Sequence, residues 1–270
     1  MSENQDLILN KLNEIFSWQV ATCRAITDLL ILERYNQIKK TEEPQGGEYI
    51  DISYRDKIVH FFVPNYHIDY VQKIIVQTEC FYEQELLEYF TNLVREHKGT
   101  CEGKIFIDAG TNIGNHTLYF SKILNAAKVY CFEPQKEIFK ILQKNIKAND
   151  VNAEIYNNVL SDKSENFSID KFYSHNFGAT SFISDENGKY TSLTLDDVCL
   201  KDEICAIKID VEGHDFPVLK GAVKILEKYS PVLWIEIKSE AEEKINFLAS
   251  FGYVLAARSN EDYFFYKPEQ

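Results

Sequence analysis

The chain has 270 residues, enough for one large α/β domain with additions or for two small ones, and ample for a real core. Hydrophobic residues make up 45% and charged residues 26%, values that exclude a disordered or fibrous chain, and no run of about 18 apolar residues is present to cross a membrane. Asp and Glu number 42 against 29 Lys and Arg, a net charge of −13, which weighs against duplex nucleic-acid binding because phosphate contacts supply most of its affinity.

Six cysteines, at 23, 80, 101, 131, 199 and 205, form no CxxC pair and no Cys/His zinc spacing, so they read as buried thiols. With no basic or apolar leader at the N-terminus, the expectation is a reduced, cytoplasmic protein.

Residues 1–47 predict a helix and a linker. Leu9, Leu12, Phe16, Cys23, Ile26 and Leu30 recur at helical spacing, interrupted by Gln19 and Glu33. The stripe fits a helix packed on its own domain or a homodimerisation arm. Thr41 to Gly47, with Pro44 and two glycines, breaks it. Residues 48–100 form a preamble: a hairpin of Tyr49–Tyr54 and Lys57–Val63 around Arg55-Asp56, then a helix from about Glu83 to Glu96.

From 101 to 270 strands alternate with helices. Strands are expected at 104–108, 128–133, 153–160, 204–210 and 231–237, and helices at 117–124, 136–147, 218–229 and 241–251. Two short runs, 253–257 and 263–266, close the chain around an acidic loop. This is the pattern of an α/β, doubly wound sheet with a mostly parallel core and a terminal antiparallel pair.

The first strand of this region opens the motif that carries chemistry, Phe106-Ile-Asp-Ala-Gly-Thr-Asn-Ile-Gly-Asn-His116. Gly110 permits the sharp turn off the strand and Gly114 a close helix approach. The loop and helix start can then cradle a ligand with backbone N–H groups. Glu133 stands at the end of the second strand, where a carboxylate can hold the two ribose hydroxyls of an adenosine. The dinucleotide pattern G-x-G-x-x-G is absent, and Asp108 would repel a pyrophosphate. The cationic methionine end of S-adenosylmethionine tolerates that acid, so this cofactor is preferred over NAD.

A second cluster follows the fourth strand, Ile207-Lys-Ile-Asp-Val-Glu-Gly-His-Asp215. Strand alternation would put Lys208, Asp210 and Glu212 on one side. Asp210, Glu212 and His214 are the candidate catalytic groups, while no spacing singles out a metal site. The polar insertion 162–190, rich in aromatics and hydroxyls, reads as an acceptor-side lid or an ordinary surface hairpin, with His175 and Asn176 as candidate substrate residues.

Phe106–Thr117, Phe132-Glu133-Pro134, Thr194–Asp197, Lys208–Gly213, Val218–Ala222 and Pro231–Ile237 together resemble the FkbM-type family of S-adenosylmethionine-dependent methyltransferases, over roughly 80–267. The resemblance implies a class I methyltransferase (Rossmann-like) fold with strand order 3-2-1-4-5-7-6, here with an N-terminal helical extension. It implies that Asp108, Gly110, Asn112 and Gly114 line the methionine end, that Glu133 binds the ribose, and that Asn158 and Val159 edge the adenine. It also implies O-methylation of a hydroxyl on a sugar, glycan or related small metabolite. A protein or lipid acceptor and a non-catalytic assembly module are the alternatives. This chain carries His214-Asp215 where the family commonly has a small residue and a Glu. A sugar hydroxyl is a poor nucleophile at neutral pH, so a base among Asp210, Glu212 and His214, or a divalent metal, would assist.

Overall fold

The computed structural model describes residues 49–268 and, before them, Lys11, Ile15, Trp18, Gln19 and Thr22, which are helical. The stripe of Leu9, Leu12, Phe16, Cys23, Ile26 and Leu30, and the homodimerisation arm it would form, lie outside the described residues.

Strands β1 (Tyr49–Tyr54) and β2 (Lys57–Phe62) form the expected hairpin, with Arg55 in the left-handed conformation at its turn. Next comes α1 (Tyr70–Thr78), a helix with no counterpart in the sequence expectation. Its Ile74-Ile75-Val76 run is β-branched and mimics a buried strand. The helix forms because Asp69 caps it, accepting a hydrogen bond from Gln72 N at 3.1 Å. Helix α2 (Gln84–Lys98) buries Leu86, Leu87, Phe90, Leu93 and Val94 at three-four spacing and stops at Gly99.

The main sheet uses β3 (Ile105–Ala109), β4 (Lys128–Phe132), β5 (Ala153–Tyr156), β10 (Ile204–Ile209), β11 (Val232–Glu236), β12 (Val254–Ser259) and β13 (Asp262–Tyr266). Their spatial order is β12-β13-β11-β10-β3-β4-β5. Counted from β3 and read from the β5 edge, this is 3-2-1-4-5-7-6. All pairings are parallel except those of β13, which runs antiparallel to β11 and β12.

Two buried layers sandwich the sheet. Phe106, Val129, Ala206, Val232, Trp234 and Phe264 face the hairpin and α1, α2, α3 (Asn115–Leu118) and α4 (Lys136–Ala148). Ile107, Tyr130, Ile207, Leu233 and Phe265 face α5 (Leu195–Cys199), α6 (Asp215–Lys220), α7 (Val223–Tyr229) and α8 (Ala241–Ser250). Strands covered on both faces carry near-continuous apolar runs, which is why they were legible. The hairpin and α2 share one core with the sheet: Ile52, Phe61 and Phe90 belong to the same buried layer as Phe106 and Trp234.

Two expected elements split. The strand expected over 153–160 ends at Tyr156, because Asn157 Nδ2 donates to the carbonyls of Glu133 and Pro134, both at 2.8 Å, and turns the chain. Beyond it, β6 (Val159–Leu160) joins a separate four-stranded sheet with β7 (Asn166–Lys171), β8 (Ser181–Ser184) and β9 (Tyr190–Leu193). The helix expected over 218–229 is α6 and α7, parted at Gly221. A Cβ at Gly221 would sit 2.2 Å from the Ser161 carbonyl oxygen, so this crossing needs glycine. The acidic loop expected at 258–262 is mostly strand, turning only at Asn260-Glu261.

Candidate functional site

A cavity opens at the carboxyl ends of β3, β4, β10 and β11, the crevice where doubly wound sheets bind ligands. Its first wall is the loop after β3. Gly110, with φ +81°, packs so tightly that a Cβ there would lie 1.6 Å from the Asp210 carbonyl oxygen. Thr111 and Asn112 follow, Asn112 also left-handed at φ 51°. Gly110 N and Thr111 N both donate to the Phe132 carbonyl at 3.0 Å, which ties the loop to β4.

Glu133 follows β4 directly and is 4% exposed. Its carboxylate accepts from Asn112 N at 3.1 Å and from Gln135 N at 2.8 Å. Burial pushes its pKa up to about 7, against those two hydrogen bonds. Five buried atoms of cavity-lining side chains have no hydrogen-bond partner among the described residues. His116 Nε2 and Glu236 Oε2 face the charged groups of Glu83 and Lys238, which leaves Asn112 Oδ1, Asn176 Oδ1 and Thr180 Oγ1 with neither kind of partner. A glycine cradle, a buried carboxylate and unsatisfied acceptors together fit an adenosine carrying an amino-acid chain, which brings hydroxyl, amino and ammonium donors. Asn158 lines the same cavity and donates to Thr191 Oγ1 at 2.8 Å.

The opposite wall is charged. Asp210, Glu212 and Glu236 each bring a carboxylate oxygen within 4.8 Å of the others. Lys208, 2% exposed, pairs with Asp210 at 2.8 Å, and Lys238 pairs with Glu212 and, at 3.3 Å, with Glu236. Burial opposes ionisation of Asp210, but the Lys208 ammonium outweighs it and holds the carboxyl below its ordinary range. Burial and the neighbouring Asp210 charge push Glu236 well up, so Glu236 keeps its proton and shares a hydrogen bond with Asp210. The three carboxyls converge as metal ligands do. Two lysines and one shared proton already compensate them, so no cation is required to hold them together.

Two histidines border this wall. His214 Nε2 lies 3.2 Å from Ser161 Oγ, and burial lowers its pKa. His116 Nε2 lies 3.3 Å from Glu83 Oε2, and burial, then the Lys208 charge, lower its pKa to about 3. Both are neutral at physiological pH.

A family model, the methyltransferase FkbM domain, matches residues 108–256. The chain belongs to the FkbM methyltransferase family. Methyltransferase FkbM from Methylobacillus flagellatus KT has 19% identity and a TM-score of 0.46, covering 62% of this chain and 44% of that one, so the chain spans less than half of that protein's length. TYW2 of M. jannaschii, solved in complex with AdoMet, has 14% identity and a TM-score of 0.43 over 84% of this chain and 90% of that one. A putative RNA methyltransferase from Pyrococcus horikoshii has 16% identity and a TM-score of 0.40, covering 68% and 85%. These likenesses say nothing of the acceptor. No curated protein matches the sequence at a significant level.

Of the residues expected at the site, Gly110, Asn112, Glu133, Asn158, Asn176, Asp210, Glu212 and His214 line the cavity. Three do not. Asp108 is fully buried behind the loop, accepting from Thr117 Oγ1 at 2.6 Å, because it shares the sheet face packed by α3. Gly114 serves helix packing: a Cβ there would meet Leu142 of α4 at 3.0 Å. His175 is exposed, and its backbone carbonyl accepts from Tyr70 N at 2.9 Å. Strand alternation also fails at Glu212. The strand ends at Ile209, and Glu212 reaches the acid cluster through a left-handed turn at φ 52°.

Sequence reasoning missed Glu236, Lys238, His116 and the preamble residues Val71, Tyr82 and Glu83, all of which line the cavity. Glu236 carried a usable signal, since it ends a central strand just as Glu133 follows one. The preamble residues carried none, because only the docking of α1 and α2 brings them to the site.

Proposed function

We propose that this chain is an S-adenosylmethionine-dependent O-methyltransferase acting on a hydroxyl of a sugar, glycan or related small metabolite. The observation that carries the reading is one cavity with two chemistries. Glu133, Asn112 and Asn158 fit a nucleoside at one end, and Asp210, Glu212, Glu236 and His214 form a proton-handling wall at the other. The bound cofactor would supply an activated methyl group on a sulfonium. Asp210 and Glu212, held by Lys208 and Lys238, orient the acceptor hydroxyl by accepting its hydrogen bonds. His214, neutral and free of any carboxylate ion pair among the described residues, takes the proton as the oxygen attacks. The walls align the reactants and exclude water. Among the described residues no helix is long and apolar enough to cross a membrane.

Calorimetric titration with S-adenosylhomocysteine, S-adenosylmethionine and NAD tests the cofactor. Both methionine-derived ligands are expected to bind and NAD is not. Glu133→Gln should weaken binding about 30-fold, the scale of losing one charge-assisted hydrogen bond to a buried carboxylate. Binding of NAD alone would overturn the reading. The Glu133 carboxyl, at about 7, accepts the ribose hydroxyls only when ionised, so affinity should rise with pH. Between pH 6 and pH 8 the expected gain is about tenfold, absent in Glu133→Gln. A flat profile in the wild type would remove Glu133 from the site. Incubation with S-adenosylmethionine and a panel of sugar hydroxyl acceptors, read as S-adenosylhomocysteine release, then identifies the acceptor.

A further inference from the structure

We propose that Asp69, which lies outside the cavity and outside the FkbM match, is a positioning residue that latches a strap over the cofactor pocket. The strap is 175–180, within the insertion between β7 and β8. Its inner side, Asn176 and Gly178 to Thr180, lines the cavity opposite the loop after β3. It lies so close that a Cβ on Gly178 would sit 2.9 Å from Asn112 Nδ2.

Few bonds hold the strap there. Phe177 N donates to Asp69 Oδ1 at 2.9 Å. Tyr70 N donates to the His175 carbonyl at 2.9 Å, and Gln135 Nε2 donates to the Phe177 carbonyl at 2.9 Å. Two of the three contacts thus come from the start of α1, and the third from the residue two past Glu133. Asp69 is fully buried and uses both carboxylate oxygens. Oδ2 caps α1 through Gln72 N, and Oδ1 holds the strap. A carboxylate is suited to this double task because it accepts at two oxygens and charge strengthens each bond. The cap alone would be served by serine, so the second oxygen marks a further role.

The consequence concerns the cofactor, and it rests on the functional reading above. Asn176 Oδ1 and Thr180 Oγ1 are buried and lack hydrogen-bond partners among the described residues. They face the nucleoside only while the strap is down. Entry and departure of the cofactor require the strap to lift, and the Asp69 bond sets how readily it does.

Asp69→Ser separates the two tasks, since the serine hydroxyl still accepts from Gln72 N but leaves Phe177 N unheld. S-adenosylhomocysteine dissociation, followed by stopped-flow displacement, should quicken about tenfold, with deuterium exchange at 176–180 accelerated to a similar degree. The melting temperature should stay within about 2 °C, because the helix cap is retained. If Asp69→Ser does not fold, Asp69→Thr, whose single hydroxyl likewise caps α1 and leaves Phe177 N unheld, carries the same comparison. Release and strap exchange within twofold of wild type overturn the latch while leaving the cofactor assignment standing. Failure of the wild type to bind S-adenosylhomocysteine overturns the functional reading, and the latch with it.

Discussion

Gly110→Ala is expected to cost about 3–5 kcal/mol of stability and to abolish S-adenosylhomocysteine binding. Two effects add at this residue. The backbone is left-handed, φ +81°, which costs an alanine roughly 1 kcal/mol. The new Cβ would also sit 1.6 Å from the Asp210 carbonyl oxygen, a backbone atom that no rotamer change can move. Relief requires the loop after β3 to part from the end of β10. Gly110 N then loses the Phe132 carbonyl, and Asn112 N is drawn off the Glu133 carboxylate. Denaturant unfolding and calorimetric titration check this together. A midpoint and an affinity equal to wild type would show that the loop does not need this turn.

Lys208→Met is expected to cost about 3–5 kcal/mol, the scale of stripping one partner from a buried ion pair. Lys208 is 2% exposed, 2.8 Å from Asp210, with its ammonium 5.0 Å from the centre of the Trp234 ring. Without it, Asp210 faces Glu236 and Glu212 with no cation of its own. Its folded-state pKa, now held low by Lys208, would then rise above the unfolded value. The penalty is therefore full above that raised pKa and shrinks as pH falls through it, because protonation removes the buried charge. The double variant Lys208→Met/Asp210→Asn should recover most of the loss. Urea unfolding at pH 5 and pH 8 reads both effects. Equal losses at the two pH values, or no recovery in the double variant, would show that packing of the lysine chain dominates instead.

Much of this architecture was legible before folding. Each parallel strand is covered on both sides and must be apolar throughout, so 105–109, 128–132, 204–209 and 232–236 stand out as short unbroken runs. The turn at Gly110 and the acid at Glu133 were legible because each directly follows one of these apolar runs, where a glycine or an acid stands out. Misreadings arose where a residue's role depends on distant chain. Helix α1 had no counterpart in the sequence expectation, and the end of β5 is set by Asn157 reaching back to Glu133 and Pro134.

The same division runs through the site. Sequence alone determined the family and the sheet class, and it picked out Gly110, Asn112 and Glu133, which line the cavity, because these lie within one strand–turn–helix segment and at the end of the strand beside it. Only the tertiary structure decided that Asp108 is buried behind the loop while Glu212 reaches the cavity. Alternation along a strand says which side a residue faces, but not whether that side meets a helix or the crevice. Only the tertiary structure, too, brought Glu236 and Lys238 from β11 and its end, Glu83 from the start of α2, and the strap from the insertion to one cavity. Their sequence separations are large, and packing of buried apolar faces, which is non-directional and carries no local pattern, is what closes the distance.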